Sequence, residues 1–189
     1  MKRTLISVLA ALVAIASVGA MAGCGNSSSG SKKSESSAAS TAATSAAGSV
    51  VTDDDMKFTY NGTVVELNSD SQTALAALGE YQGEPEPVKS CVDDGMDMMY
   101  TYDGFNLCTH TKDGVDRVLN IVVKSDALPT SKGVKVGDDI SAVTAAYGDY
   151  NRVGKTATYY YSTADGKKEL RFTIVNDKVE EIEYFYNVV

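Results

Sequence analysis

The chain has 189 residues, 25 acidic against 17 basic side chains, a formal charge of −8, one histidine and no tryptophan. That balance excludes a nucleic-acid partner, since neutralising phosphates needs a basic face, and it excludes attachment to anionic lipid by charge. With His110 the single histidine, and with neither G-x-S-x-G nor a phosphate-cradling G-K-[ST] loop, the expectation is a protein that is not an enzyme.

Met1-Lys2-Arg3 precede an apolar stretch from Leu5 to about Val18, which runs on to Met21-Ala22-Gly23-Cys24. A short basic start, an apolar run and small residues before a break describe a secretory leader rather than a structural helix. The cysteine after Ala-Gly resembles a bacterial lipoprotein signal, in which the thiol is diacylated and cleavage falls just before it. Met21 stands where leucine is usual. The resemblance implies a signal peptide over 1–23, lipidation at Cys24, and a mature chain on the outer face of the cytoplasmic membrane. The alternative, a transmembrane anchor over 5–22, is opposed by the shortness of the run and by Ser7, Ser17 and Gly19 within it. Loss of Lys2 and Arg3 takes the formal charge to about −10, so acyl chains must hold the protein at the membrane. Residues 24–52 are Ser, Ala, Gly and Thr with almost no large apolar side chain. They read as a flexible tether reaching roughly 30 Å, of a kind that resembles Gram-positive lipoproteins.

The folded part is expected over 53–189. Asn61-Gly62 predicts a hairpin of 56–60 and 63–67. An amphipathic stretch from Ser69 to Leu78, closed by Gly79, predicts a helix. Asp103-Gly104 predicts a hairpin that pairs Tyr102 with Phe105, Tyr100 with Leu107 and Met98 with Thr109. Asp113-Gly114 opens a strand over 115–123. A second helix is expected from Asp138 to Tyr147, capped by Asp138 or Asp139 and ended by Gly148. The loop around Asp165-Gly166 then pairs Tyr161 with Lys168 and Tyr159 with Leu170, and Asn176-Asp177 leads to a last strand over 178–186.

These landmarks occur twice in the same order. Leu78-Gly79-Glu80-Tyr81 matches Tyr147-Gly148-Asp149-Tyr150, and Tyr100-x-Tyr102 matches Tyr159-x-Tyr161. Asp116-Arg117-Val118 through Ile121 likewise matches Asp177-Lys178-Val179 through Ile182. The spacing of three between Val118 and Ile121, and between Val179 and Ile182, breaks strict alternation and predicts a β-bulge at each place. The expected fold class is α+β: two tandem α-β-β-β units, about 53–128 and 129–189, forming one antiparallel sheet with helices on one face. The core side includes Leu78, Tyr102, Phe105, Leu107, Ile121, Tyr147, Leu170, Phe172, Ile182 and Tyr184.

A helix entered from Gly133-Val-x-Val-Gly-Asp138, ended by Tyr147-Gly148 and followed by a Tyr-rich meander, resembles two families. One is the secreted β-lactamase-inhibitor protein, with two such units. The other is the small lipoprotein of the outer-membrane β-barrel assembly machinery, with one. The likeness covers roughly residues 60–189. Ser90-Cys91 to Gly95 before Tyr-x-Tyr further resembles uncharacterised lipoproteins of Gram-positive bacteria. The resemblance implies no catalytic site and no cofactor, and recognition of a protein or cell-wall partner through the open face of the sheet.

That face is expected to present Met99, His110, Arg117, Tyr160, Arg171 and Phe185, with the aromatics and arginines as the anchoring types. The same register sets Asp97 opposite His110 and Met99 opposite Cys108. An alternative function is therefore metal handling, since thiol, thioether and imidazole together suit copper(I) or zinc. A third reading is a structural envelope component. Cys91 and Cys108 are an even pair in a disulfide-permissive compartment, and a bond between them would contribute about 3 kcal/mol. It would also remove the metal set.

Overall fold

The computed structural model describes residues 51–188, so the leader, Cys24 and the tether to residue 50 lie outside the described residues. Val51 and Thr52, which composition places before the fold, already pack with it. Val51 is 1% exposed, and the Thr52 N–H and hydroxyl both donate to Asp55 Oδ2, at 2.8 and 2.9 Å. That pairing closes a 3-10 turn, Asp53–Met56, so Val51 and Thr52 pack with the described fold.

Strands β1 (Phe58–Tyr60) and β2 (Thr63–Val65) form the first hairpin. Asn61 and Gly62 take φ of 47° and 80°, as the two-residue turn requires for its twist to match the strands. Helix α1 (Ser71–Leu78) begins where Asp70 Oδ1 accepts from the Thr73 N–H at 2.8 Å and ends at Gly79. Helix α2 (Ile140–Tyr147) ends at Gly148. Its start differs from the expected aspartate cap: Asp138 accepts from the Lys135 N–H at 3.0 Å, and Asp139 faces the Lys178 ammonium at 3.1 Å. Both aspartates tie down the preceding loop and its neighbour rather than the first turn.

Four strands follow each helix where three are expected. After α1 come β3 (Gln82–Lys89), β4 (Met96–Tyr102), β5 (Phe105–Lys112) and β6 (Val115–Val123). After α2 come β7 (Arg152–Val153), β8 (Thr158–Ser162), β9 (Lys168–Val175) and β10 (Lys178–Tyr186). They make an antiparallel sheet ordered β3-β4-β5-β6-β10-β9-β8-β7. The two unforeseen strands are its edges. Pro85 and Pro87 disguise β3 as a loop, but an edge position tolerates the missing N–H donors. β7 is two residues long and carries no periodic signal.

The β4–β5 hairpin has the expected register, with Tyr102 beside Phe105 and Met98 beside Thr109. The β8–β9 register is corrected by two residues: Tyr161 pairs with Leu170 and Tyr159 with Phe172. The cause is a turn centred one residue later, between Asp165 and Gly166. The Thr163 N–H donates to the Lys168 carbonyl at 3.0 Å, and the Lys168 N–H returns to Thr163 Oγ1 at 3.1 Å. A slip of two preserves which face each side chain occupies. Both expected bulges are present: Leu119 is the extra residue where β6 meets β5, and Glu180 where β10 meets β9.

One sheet face builds the core. Leu107, Ile121, Leu170 and Ile182 are fully buried there, in one cluster with Leu78 of α1 and Val143 and Tyr147 of α2. The small hairpin covers the same side, with the Phe58 ring centroid 4.7 Å from that of Phe105 and 5.9 Å from that of Tyr184. Both helices therefore lie on one face, and the opposite face carries neither.

Candidate functional site on the uncovered sheet face

Strand alternation sends two adjacent rows of side chains to the helix-free face. One runs Tyr160, Arg171, Glu183, Val122, Asn106, Thr101, from β8 through β9, β10, β6 and β5 to β4. The other runs Glu169, Phe185, Asn120, Cys108, Met99 over β9, β10, β6, β5 and β4.

Charge is balanced and paired within the rows. The Arg171 guanidinium lies 2.8 Å from Glu169 and 2.9 Å from Glu183, and 3.6 Å above the centroid of Phe185. Arg152 on β7 reaches Glu169 at 3.2 Å and sits 3.5 Å above the Tyr160 ring. Asn120 Nδ2 donates to Glu183 at 2.7 Å. Two guanidiniums, two carboxylates and two rings thus hold one another in fixed rotamers. In so half-buried a setting the ion pairs offset their own desolvation more than they add stability. Their effect is to fix the surface around Tyr160.

The expected exposed set is only partly exposed. Phe185 and His110 are 5% and 6% exposed, and neither is a surface anchor. The reason is the β3–β4 loop. Lys89–Met96 pairing closes it, the Ser90 N–H donates to the Gly95 carbonyl at 3.1 Å, and Asp93 Oδ1 accepts from the Gly95 N–H at 2.7 Å. The folded loop places Asp93 Oδ2 3.5 Å from His110 Nε2 and brings Cys91 and Val92 beside Phe185 and Arg171. Arg117 is exposed but stands apart from this cluster; its Nη1 donates to the Asn68 carbonyl at 3.0 Å. Tyr160 stands opposite Arg171 rather than Glu169, as the two-residue change of register dictates, while Met99 lies across the sheet, where its sulfur accepts from Asn106 at 3.5 Å.

The proposed metal set is half assembled. Asp97, 3% exposed, meets His110 Nδ1 at 2.7 Å, and Met99 stands opposite Cys108. Among the described residues, no group of three or more His, Cys, Asp or Glu side chains is arranged to hold a metal ion. Burial, reinforced by the Asp97 carboxylate and Cys91, pushes the Cys108 thiol up to about 12. Of Asp97, Met99, Cys108 and His110, the first and last form a buried His–Asp pair, and Cys108 is a buried thiol opposite Met99. Cys91 and Cys108 are free thiols, one exposed and one buried, so the expected disulfide is not formed. Burial raises the Cys91 thiol as well.

Sequence reasoning missed Arg152 and the role of the β3–β4 loop. Glu169-Leu170-Arg171 and Glu183-Tyr184-Phe185 did carry a signal: polar and aromatic types recur at every second residue outside the apolar alternation. Nothing in the sequence marked Arg152, because its strand is too short to read. Compared with protein-family models, curated proteins and solved structures, the chain matches none.

Proposed function

We propose that the chain is a lipid-anchored, extracytoplasmic, non-enzymatic binding protein, anchored through Cys24 and recognising another envelope protein by the uncovered sheet face. The observation that carries this reading is the interlocked surface of Tyr160, Arg152, Arg171 and Glu169. Side chains already held in place lose little entropy on docking, and Tyr and Arg dominate binding hot spots.

The reading includes two tandem units of common design. Three features support it: the sheet order is symmetrical about the β6–β10 contact, each half carries its bulge on its last strand, and each helix-ending glycine is approached by the second tyrosine of a Tyr-x-Tyr pair. The likeness to β-lactamase-inhibitor protein and to the barrel-assembly lipoprotein rests on the same design and points to protein recognition by analogy alone.

Site-specific photo-crosslinking in intact cells tests the assignment. A photoreactive phenylalanine analogue at Tyr160 or Thr101 should give a discrete protein adduct, and one at Val64, 52% exposed on β2, should not. Equal adducts from Val64, or none from the sheet face, would sink it, and a glycan adduct would replace the protein partner by the wall. Separately, Cys24→Ala should release the protein from the membrane fraction.

A further inference from the structure

Strand β6 changes partners along its length. From Val123 to Asn120 it pairs with β10, the last pair being Asn120 with Phe185. Beyond the Leu119 bulge it turns to the segment before α1: the Asn68 N–H donates to the Val118 carbonyl at 2.8 Å, and the Val118 N–H to the Ser69 carbonyl at 3.0 Å. Where the two partners part, the end of β10 and residues 68–69 leave a cleft of about 440 Å³. That volume suits a small organic molecule.

The lining is unusual for so acidic a chain. Three cations from three elements converge on it: Lys112 at the end of β5, Arg117 on β6 and Lys167 in the β8–β9 loop. Asp113 is the one acid among the lining residues. Among the described residues no carboxylate lies within ionic contact of Lys112 or Lys167. Arg117 is held by its bond to the Asn68 carbonyl, which uses one of five guanidinium donors. The remaining wall is mixed: Asn68, His110 and Asn187 are polar, and Val115, Val118, Leu119 and Tyr186 supply an apolar side. In a chain with 25 acids to 17 bases, three cations share this one cleft; Asp113 lines it, and Asp70 and Asp165 act on Arg117 and Lys167 from outside the lining, which leaves ammonium and guanidinium donors for an anion to meet.

We propose that this cleft is a binding site for a small amphiphilic anion, a carboxylate or phosphate joined to a short apolar group. The anionic head is met by Lys112, Arg117 and Lys167, and the apolar part packs on Val115, Leu119 and Tyr186. The site lies at the end of the sheet, and it stands or falls independently of the face around Tyr160.

Titration of the full chain carrying Cys24→Ala, followed by backbone amide NMR, provides the test. The probes are hexyl phosphate, hexanoate, hexanol and inorganic phosphate. Hexyl phosphate or hexanoate should saturate with shifts centred on residues 112–119, 167 and 186–188, and which of the two binds tighter identifies the head group. Binding should weaken at least tenfold in Lys112→Gln with Lys167→Gln, both exposed positions whose fold the same spectra verify. It should persist in Lys112→Arg with Lys167→Arg, and fall with added salt. Saturation by neither organic anion, or shifts centred elsewhere, overturns the proposal. So does hexanol binding as tightly as the anions, or inorganic phosphate binding as tightly as hexyl phosphate.

Discussion

The two cysteines of the folded region show how one sheet gives identical side chains different chemistry. Cys108 points to the helix-free face but lies under the β3–β4 loop, and burial pushes its thiol up to about 12. Cys91 sits in that loop and is exposed. At pH 8 in native conditions, iodoacetamide should modify Cys91 and leave Cys108 intact until urea is added; peptide mass mapping would reveal the order. Equal labelling of both would mean that the loop does not cover the face. Beneath the same loop, Asp97 accepts from or donates to His110 Nδ1 at 2.7 Å, both groups being buried. Asp97→Ala strands the imidazole nitrogen without a partner and should cost about 1–3 kcal/mol, read as a lower urea midpoint with an unchanged slope. This pair was legible in the sequence, because hairpin register alone set position 97 opposite 110. The loop that buries it was not, since six residues of Ser, Cys, Val, Asp and Gly carry no periodicity.

At the scale of elements, the helix ends and the bulges are the informative joints. Tyr161 donates to the Gly148 carbonyl at 3.2 Å, and Tyr102 approaches the Gly79 carbonyl at 3.5 Å. A strand tyrosine thus satisfies a carbonyl that a helix leaves unpaired at its C-terminus. Burial pushes the Tyr161 phenol up to about 12 from its ordinary 10.0. The folded protein keeps that proton to higher pH than the unfolded chain does. The associated stability is present below pH 10 and is lost as pH rises towards 12. Tyr161→Phe should lower stability at pH 7 by about 0.5–1.5 kcal/mol and flatten the fall between pH 10 and 12, measured by denaturant titration at each pH. The bulge makes a sharper prediction. Glu180 is the unpaired extra residue of β10 and is exposed, so Glu180→Ala should be near neutral. Deleting it would rotate Val179, which is 1% exposed, to the other face, at a cost of about 1.5–3 kcal/mol. Strand limits such as 115–123 and 178–186 were readable because Asp-Gly and Asn-Asp turns bracket alternating runs. The helix starts were less so, because an aspartate before a helix can serve a loop equally well, as Asp138 does.

Across the whole molecule, the sequence divides into what pattern encodes and what only assembly creates. Alternation and turns encode the sheet and its buried face. The order β3 to β7 around a central β6–β10 seam, and the cleft where that seam opens, depend on long-range pairing that no local pattern carries. The first folded residues belong to the second class. The 3-10 turn at 53–56 packs near β9, with Asp53 2.7 Å from Lys168 and Asp55 3.2 Å from Lys132. The described fold therefore begins with a strap fastened far away in sequence. Burial opposes the charge on Asp55, but the Thr52 N–H and hydroxyl and the Lys132 ammonium outweigh it and hold the carboxyl below its ordinary 3.8. A depressed carboxyl means that the unfolded chain takes up this proton first. The stabilisation is complete above pH 3.8 and is lost as pH falls through the lower folded value. Asp55→Asn should lose the stabilisation at pH 7 and show a weaker further decline into acid than the native protein, in denaturant midpoints taken from pH 7 to pH 2. Amide exchange should localise the native protein's acid-induced opening to residues 51–58 ahead of the eight-stranded sheet. Simultaneous opening of β9 and β10 would show instead that the strap is an integral part of the core.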